Sequence, residues 1–335
     1  MVMQGIQPGR ADVRFVDPLL TNMSLGFRNG NYFWDRIAPV VSVNQPSGRF
    51  TGYSSDYWFR RTGGTDRAEG GRYPRGGWGT FSGTYTTREI GIEKALEDSV
   101  VAASQLPEAL PLTDVAYLTN QIELELEIRV RDALFTDGVW GNDRLGVASG
   151  ESGNQFRQWS DFANSDPIAD VRAWRDRIHL VTGVLPSNAF AGHRVMDVLL
   201  DHPLLTSVYR RNTDGPLAIG DVQNALGVAI DIGMSVYDTG SEGSDDNADL
   251  DRDSGYAGRE YVWGDHFLLQ AQNTPELGVA NGAYTYIWDE AGNIPWALQS
   301  YREDQTRSDV RRIFTHPAPV VVSPHHGLFA KDVIA

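Results

Sequence analysis

Three groupings of side chains in this sequence have types and spacings that could do chemistry. The first is Asp249-x-Asp251-x-Asp253 with Glu260 eleven positions after Asp249. That approaches the spacing at which carboxylate oxygens wrap a calcium ion in a helix-loop-helix. The glycine expected at the sixth position is replaced by Ser254, with Gly255 behind it, and the flanks read as strand. The competing reading of residues 242–253 is a solvated acidic loop held open by its own like charges. The second grouping is His325-His326. Neighbours in a strand point to opposite faces, which is poor for joint ligation, and the seven histidines include no His-Glu-x-x-His and no His-x-His pair. The third is Glu123 and Glu127, one helical turn apart, as a glycosidase might pair its acids. The apolar pattern around them places both on the wet side of a helix. No glycine cluster sits in a strand-Gly-x-Gly-x-x-Gly-helix unit, and no Gly-x-Ser-x-Gly elbow or lysine-containing phosphate loop occurs. The sequence therefore assigns no catalytic residue, no cofactor-binding residue and no metal ligand, and it implies no cofactor.

Composition narrows the classes further. The chain has 335 residues, 41% of them hydrophobic and 10% aromatic, enough for one large core or two modest ones. No apolar run approaches the ~20 residues that span a bilayer, and the opening Met1–Arg10 lacks a charged-then-apolar leader pattern. With no cysteine, disulfides and thiolate sites are excluded. The formal charge of −15 runs against the basic excess of a dedicated nucleic-acid binder. It does not run against a container that must release DNA. All but two of the 29 basic residues are arginine, the exceptions being Lys94 and Lys331. Arginine is favoured at protein interfaces; a GC-rich genome gives the same bias.

The elements follow from spacing. Residues 1–45 carry short apolar clusters broken by Pro, Gly and Asn, and read as an extended arm that must lie on something else. Residues 46–98 interleave Tyr53, Tyr57, Trp58, Phe59, Tyr73, Trp78, Phe81 and Tyr85 with glycines, predicting a long β-hairpin with a Gly-rich tip. Val115, Leu118, Ile122, Leu126 and Val130 predict a long helix over 113–135, preceded by Pro111 and closed before Gly138. Asp166-Pro167 predicts a helix start and Gly183 its end, with Ile168, Val171, Trp174, Ile178 and Val181 as the apolar face. Beyond it the pattern predicts helices at His193–Asp201 and Ile219–Leu226. Strands are predicted at Val228–Ile232, Met234–Tyr237, Tyr261–Leu269 and Ala283–Trp288, then over Ile313-Phe314 and Val320–Val322.

The order of these phrases carries a resemblance. Asp17-Pro18-Leu19-Leu20 through Phe27, Asp35-Arg36-Ile37-Ala38-Pro39-Val40-Val41, Trp159-Ser160-Asp161 with Asp166-Pro167-Ile168, Gly227-Val228 through Tyr237, and Tyr261-Val262-Trp263-Gly264-Asp265-His266 resemble tailed-bacteriophage major capsid proteins. The fold this implies is α+β, the Hong Kong 97 capsid type. It would comprise an N-terminal arm (1–45), an extended loop formed by a long β-hairpin (46–98), a peripheral domain (99–187 and 299–335) with a spine helix at about 113–135, and an axial α/β domain (188–298). The function it implies is a non-enzymatic shell protein of the virion, assembled in the host cytoplasm into an icosahedral head around double-stranded DNA. Implied partners are many copies of itself in pentamers and hexamers, a separate scaffolding protein, a portal protein and a decoration protein, with no sequence-specific DNA contact and no membrane. An encapsulin-like nanocompartment shell is the alternative on the same fold, and a carbohydrate-active enzyme or binding module using Trp58 or Trp78 the alternative of another class. Some members of the family join neighbours covalently through a lysine on the extended loop. Here Lys94 stands at the base of that loop and its tip has none, so boiling assembled particles in detergent should release a single 37.0 kDa band. A ladder of multimers on the gel would refute that expectation.

Overall fold

A computed structural model describes residues 32–53, 69, 71–73, 75–77, 79–104, 110–209, 217–238, 259–271, 281–289 and 295–335. It begins with the last part of the expected arm. Phe33 precedes the one-turn helix Trp34–Ile37, and the strand Val40–Val43 follows. That strand pairs in parallel with Ala283–Trp288, which pairs antiparallel with Pro317–Val321.

The long helix runs from Leu110 to Leu134, starting three residues before the predicted boundary. Pro111 lies inside its first turn, where a missing N–H costs nothing because those donors have no partner within the helix. At 1.5 Å per residue it spans roughly 37 Å. The predicted stripe is buried: Val115, Leu118, Leu126, Val130 and Leu134 are fully enclosed and Ile122 nearly so. The expected wet face needs correction. Thr119, Glu123 and Glu127, spaced by four, form a second buried stripe beside the first. Apolar spacing locates one covered face of a helix, and this helix is covered on two.

One of those covers is a three-stranded antiparallel sheet ordered Ala297–Glu303, Ser308–Thr315, Ile90–Glu97. Near its start the helix meets this sheet through Asp114, which is buried, accepts from Arg311 at 3.1 Å and lies 3.6 Å from Lys94 Nζ. The expected hairpin is present in its described portion, with Ser47–Tyr53 antiparallel to Thr80–Thr86. Most of its tip, with Trp58 and Trp78, lies outside the described residues.

The largest sheet has six strands in the order Gln155–Arg157, Arg144–Val147, Gly327–Lys331, Phe267–Gln270, Asn188–Gly192, Ala229–Gly233. It crosses the sequence position, residue 188, at which the axial part was expected to start. Helix Pro167–Thr182 packs on it as the spacing requires: Val171, Trp174 and Ile178 are buried, and Thr182 continues the face while Val181 stays at its margin. Asp166 accepts from the Ala169 N–H at 3.0 Å and Gly183 adopts φ 72°, closing the helix in the left-handed conformation. The Trp159-Ser160-Asp161 phrase is a clamp. Trp159 stacks on Trp174 at 5.8 Å, its backbone N–H donates to Val333, and its indole donates to Asp170. Burial pushes the Asp170 carboxyl up to about 6 against that bond. The Ser160 hydroxyl accepts from the Ala335 N–H.

Three further expectations change. The strand predicted over Tyr261–Leu269 is two strands, Arg259–Tyr261 and Phe267–Gln270, separated by a turn at 262–266 with Gly264 at φ 55°. The His193–Asp201 helix stops before Pro203 as predicted, but Pro203 then opens a second helix to Tyr209, occupying the position a proline tolerates. His325 and His326 lie in a 3-10 turn, not a strand. Replacing Asp166 by Ala removes the helix cap and should lower unfolding stability by about 1 kcal/mol in urea denaturation, with secondary structure content unchanged.

Candidate functional site

Within the core a single carboxylate draws four chain segments together. Glu127 is fully buried on the second stripe of the long helix. Its Oε2 accepts from the backbone N–H of Trp34 at 2.9 Å and of Phe33 at 3.2 Å. Its Oε1 accepts from the Trp263 indole at 2.6 Å and the Ser235 hydroxyl at 3.1 Å. The two backbone donors open the Trp34–Ile37 helix, whose first N–H groups have no partner of their own. Phe33 stacks on Trp263 at 4.5 Å and on Phe190 at 5.8 Å, so the polar knot is sealed by rings. Burial pushes the Glu127 carboxyl up to about 7, against the pull of its hydrogen bonds from Trp263, Trp34, Ser235 and Phe33. The sequence reading names this residue but places it on the wet side of the helix, and so misses its burial. The available signal was the Thr119, Glu123, Glu127 spacing, which repeats every four positions beside the apolar stripe.

The second feature is the ribbon formed by Ser47–Tyr53 and Thr80–Thr86. Among the described residues it has two strands and no third. None of its described side chains is fully buried. Register places Gly48 opposite Tyr85, Phe50 opposite Gly83 and Gly52 opposite Phe81, all on one face. Each ring lies across the facing glycine, where a Cβ would collide with it. Such crossed aromatic–glycine pairs fix register in a strand pair that has no other core. The opposite face carries Ser47, Arg49, Thr51, Thr80, Ser82, Thr84 and Thr86. Its root is anchored where Tyr85 and Phe50 stack on Tyr286 at 4.6 and 6.1 Å. Phe81, farther out, is 38% exposed.

Two of the three groupings singled out in the sequence fall among the described residues. Glu123 and Glu127 are both enclosed, so the paired acids do not face a substrate. His326 hydrogen-bonds Ser323 at 2.6 Å, and burial pushes its imidazole down to about 4, while His325 is exposed. The acidic loop 242–253 lies outside the described residues. Among the described residues, no group of three or more His, Asp or Glu side chains could hold a metal ion. Lys94 lies on the Ile90–Glu97 strand, over the ring of Tyr117, and not on the ribbon.

No protein-family model matches the chain. The chain is similar to the major capsid protein of Burkholderia phage BcepMu, 23% identical over 235 residues, covering 67% of this chain and 71% of that one. Among solved structures, a phage-related protein from Bordetella bronchiseptica superposes with a TM-score of 0.70 at 17% identity, covering 96% of this chain and 98% of that one. The capsid of Cyanophage P-SCSP1u gives 0.55 at 10% identity, covering 89% and 87%. The mature capsid of bacteriophage PhiM1 gives 0.54 at 12% identity, covering 98% and 92%.

The fold is the Hong Kong 97 capsid type. Within that fold Glu127 ties the helix Trp34–Ile37, the long helix, the link between strands at Ser235 and the turn at Trp263 together. No helix among the described residues is long and apolar enough to cross a membrane. Replacing Glu127 by Leu strands two backbone N–H groups, an indole N–H and a hydroxyl without an acceptor. We expect a loss of roughly 3 kcal/mol or more in urea denaturation. A loss below ~1 kcal/mol would show that water or rearrangement satisfies those donors.

Proposed function

We propose that this chain is the shell protein of a tailed-bacteriophage head and has a structural, non-enzymatic role. The observation that carries the proposal is the capsid fold itself, matched over 98% of this chain and 92% of a mature phage capsid chain. Physics supports it independently. A two-stranded ribbon with none of its described side chains fully buried is marginal alone and needs a partner surface, and the broken apolar clusters of residues 1–45 read as an arm that must lie on something else. A chain that builds an exposed aromatic ribbon on a rigid body is suited to lie against copies of itself.

In this proposal residues 1–45 are the arm, 46–98 the loop that overlies a neighbouring copy, with its last strand Ile90–Glu97 rooted in the sheet beside the long helix, 99–187 with 299–335 the peripheral domain, and 188–298 the axial domain. The six-stranded sheet stitches the last two into one body. Head-to-tail contacts between such bodies close into pentamers and hexamers, the units from which one chain tiles an icosahedral shell. The net charge of −15 favours loose enclosure of double-stranded DNA over binding it. A separate scaffolding protein, a portal protein and a decoration protein complete the proposed set of partners, with assembly in the host cytoplasm.

The deciding experiment is negative-stain electron microscopy of the purified protein, expressed with and without its neighbouring genes. Closed shells of uniform diameter are expected. Small discrete particles in both preparations would overturn the proposal and turn attention to glycan binding. Shells that carry a protein cargo in place of DNA would redirect it to a nanocompartment. Deleting residues 62–79 should leave soluble protein that forms no shells, and normal shells from that variant would remove the ribbon from the assembly mechanism.

A further inference from the structure

The two faces of the Ser47–Tyr53 and Thr80–Thr86 ribbon are unequally covered. On the polar face Ser47, Arg49 and Thr51 and their partners Thr86, Thr84 and Ser82 are all exposed. Arg49 donates to the Ser82 hydroxyl across the strands. A face of hydroxyls and a guanidinium is at home in water. The other face carries three rings in a row, Tyr85, Phe50 and Phe81, one per cross-strand pair and alternating between the strands. Each ring closes over the glycine opposite it, so no gap separates one pair from the next. Successive pairs on one face are about 7 Å apart, which sets the three rings in a line from the root to the far end.

The first two positions of that line are capped within the chain. Tyr286, on the strand Ala283–Trp288, stacks nearly parallel on Tyr85, at 4.6 Å and 18°, and on Phe50, at 6.1 Å and 19°. Tyr85 and Phe50 are half-buried in consequence. The third position repeats the arrangement without the cap. Phe81 closes over Gly52 as the other rings close over their glycines. No ring or cation among the described residues lies on it, and it is 38% exposed. Phe81 stands two steps, roughly 14 Å, beyond Tyr85, out of reach of the ring that caps Tyr85.

We propose that Phe81 is a contact point for a second copy of this chain, which lays a planar side chain on it, an aromatic ring or an arginine guanidinium, as Tyr286 lies on Tyr85 and Phe50. The contact presupposes the shell role proposed above, and it specifies which face of the ribbon meets the neighbour and by what chemistry. The ring face docks and the polar face stays in solvent. Continuity selects the occupant. The same face, at the same spacing, is covered at its root by this chain's own body, and in a shell built of one chain the next body along the ribbon is another copy. Both kinds of cap suit a phenyl ring: aromatic pairs gain from offset stacking, and a guanidinium from lying over the ring face. A chain whose basic residues are nearly all arginine is well supplied with the second.

Site-specific photo-crosslinking in the full chain reads the contact directly. With p-benzoylphenylalanine in place of Phe81, irradiated shells should yield a covalent dimer, and mass spectrometry should place the joined residue on another copy. The same probe in place of Thr84, on the polar face, should yield at least about fivefold less dimer, because it joins only groups in contact. Phe81→Ala should raise the protein concentration needed for shells by roughly tenfold. Phe81→Trp should restore it and Thr84→Ala should leave it unchanged. Equal yields from the two positions, adducts confined to one chain, or joining to a different protein would overturn the contact. Shells from Phe81→Ala at an unchanged concentration would do the same. Should Phe81→Ala distort the ribbon, the crosslinker, which keeps a ring at position 81, decides alone. If the unaltered chain forms no shells, the shell role fails separately. Dimer formed from position 81 in the small particles would then still uphold the contact, and its absence would overturn it.

Discussion

The structure depends on burying one carboxylate and giving it four donors. Glu127 sits where the helix Trp34–Ile37, the long helix, the link at Ser235 and the turn at Trp263 converge, and its hydrogen bonds orient segments whose apolar side chains share one core. Phe33 and Trp34 begin a helix of one turn, too short to be stable by itself. Its orphan N–H groups need an acceptor, and the carboxylate supplies it. The rings of Phe33, Trp263 and Phe190 then stack over the knot and exclude water, which strengthens the bonds they cover. Direction comes from the hydrogen bonds and adhesion from the rings.

Around that centre the acidic residues of the spine helix play a common part. Asp114 meets Arg311 and Lys94 on the sheet near the start of the helix, and Glu127 meets the arm and turns nearer its end. The helix is thus tied by its polar groups to layers that its apolar stripe alone would only contact. Such ties cost desolvation and return specificity of placement. The ribbon follows another logic: with none of its described side chains fully buried, its register rests on three aromatic–glycine pairs and an Arg49–Ser82 hydrogen bond, and its root on stacking against Tyr286.

Much of this was legible in the chain. The Asp166 cap, Pro167 and Gly183 mark a helix because those residues satisfy or release specific backbone groups wherever they occur. The stripe from Val115 to Val130 marks the spine by period alone. Hairpin residues 47–53 and 80–86 were legible from alternating aromatics and threonines, and the Ala283–Trp288 strand from its β-branched and aromatic run. The order of these elements sufficed to suggest the Hong Kong 97 fold, which the structure has.

What the sequence could not decide was which polar residues lie inside. Glu123 and Glu127 look solvent-facing because hydrophobic period reports one face of a helix, and a second face becomes covered only when distant segments fold over it. Residues 33, 235 and 263 lie 94, 108 and 136 positions from Glu127. No local pattern links them. The turn that splits 261–269 was hidden for the same reason, since Val262 and Trp263 read as strand until the indole is turned toward the carboxylate. Local backbone chemistry, a cap, a left-handed glycine or a buried stripe, is written in neighbouring residues and survives being read alone. The partner of a buried charge is a property of tertiary packing, because only there does the cost of leaving water meet the groups that offset it.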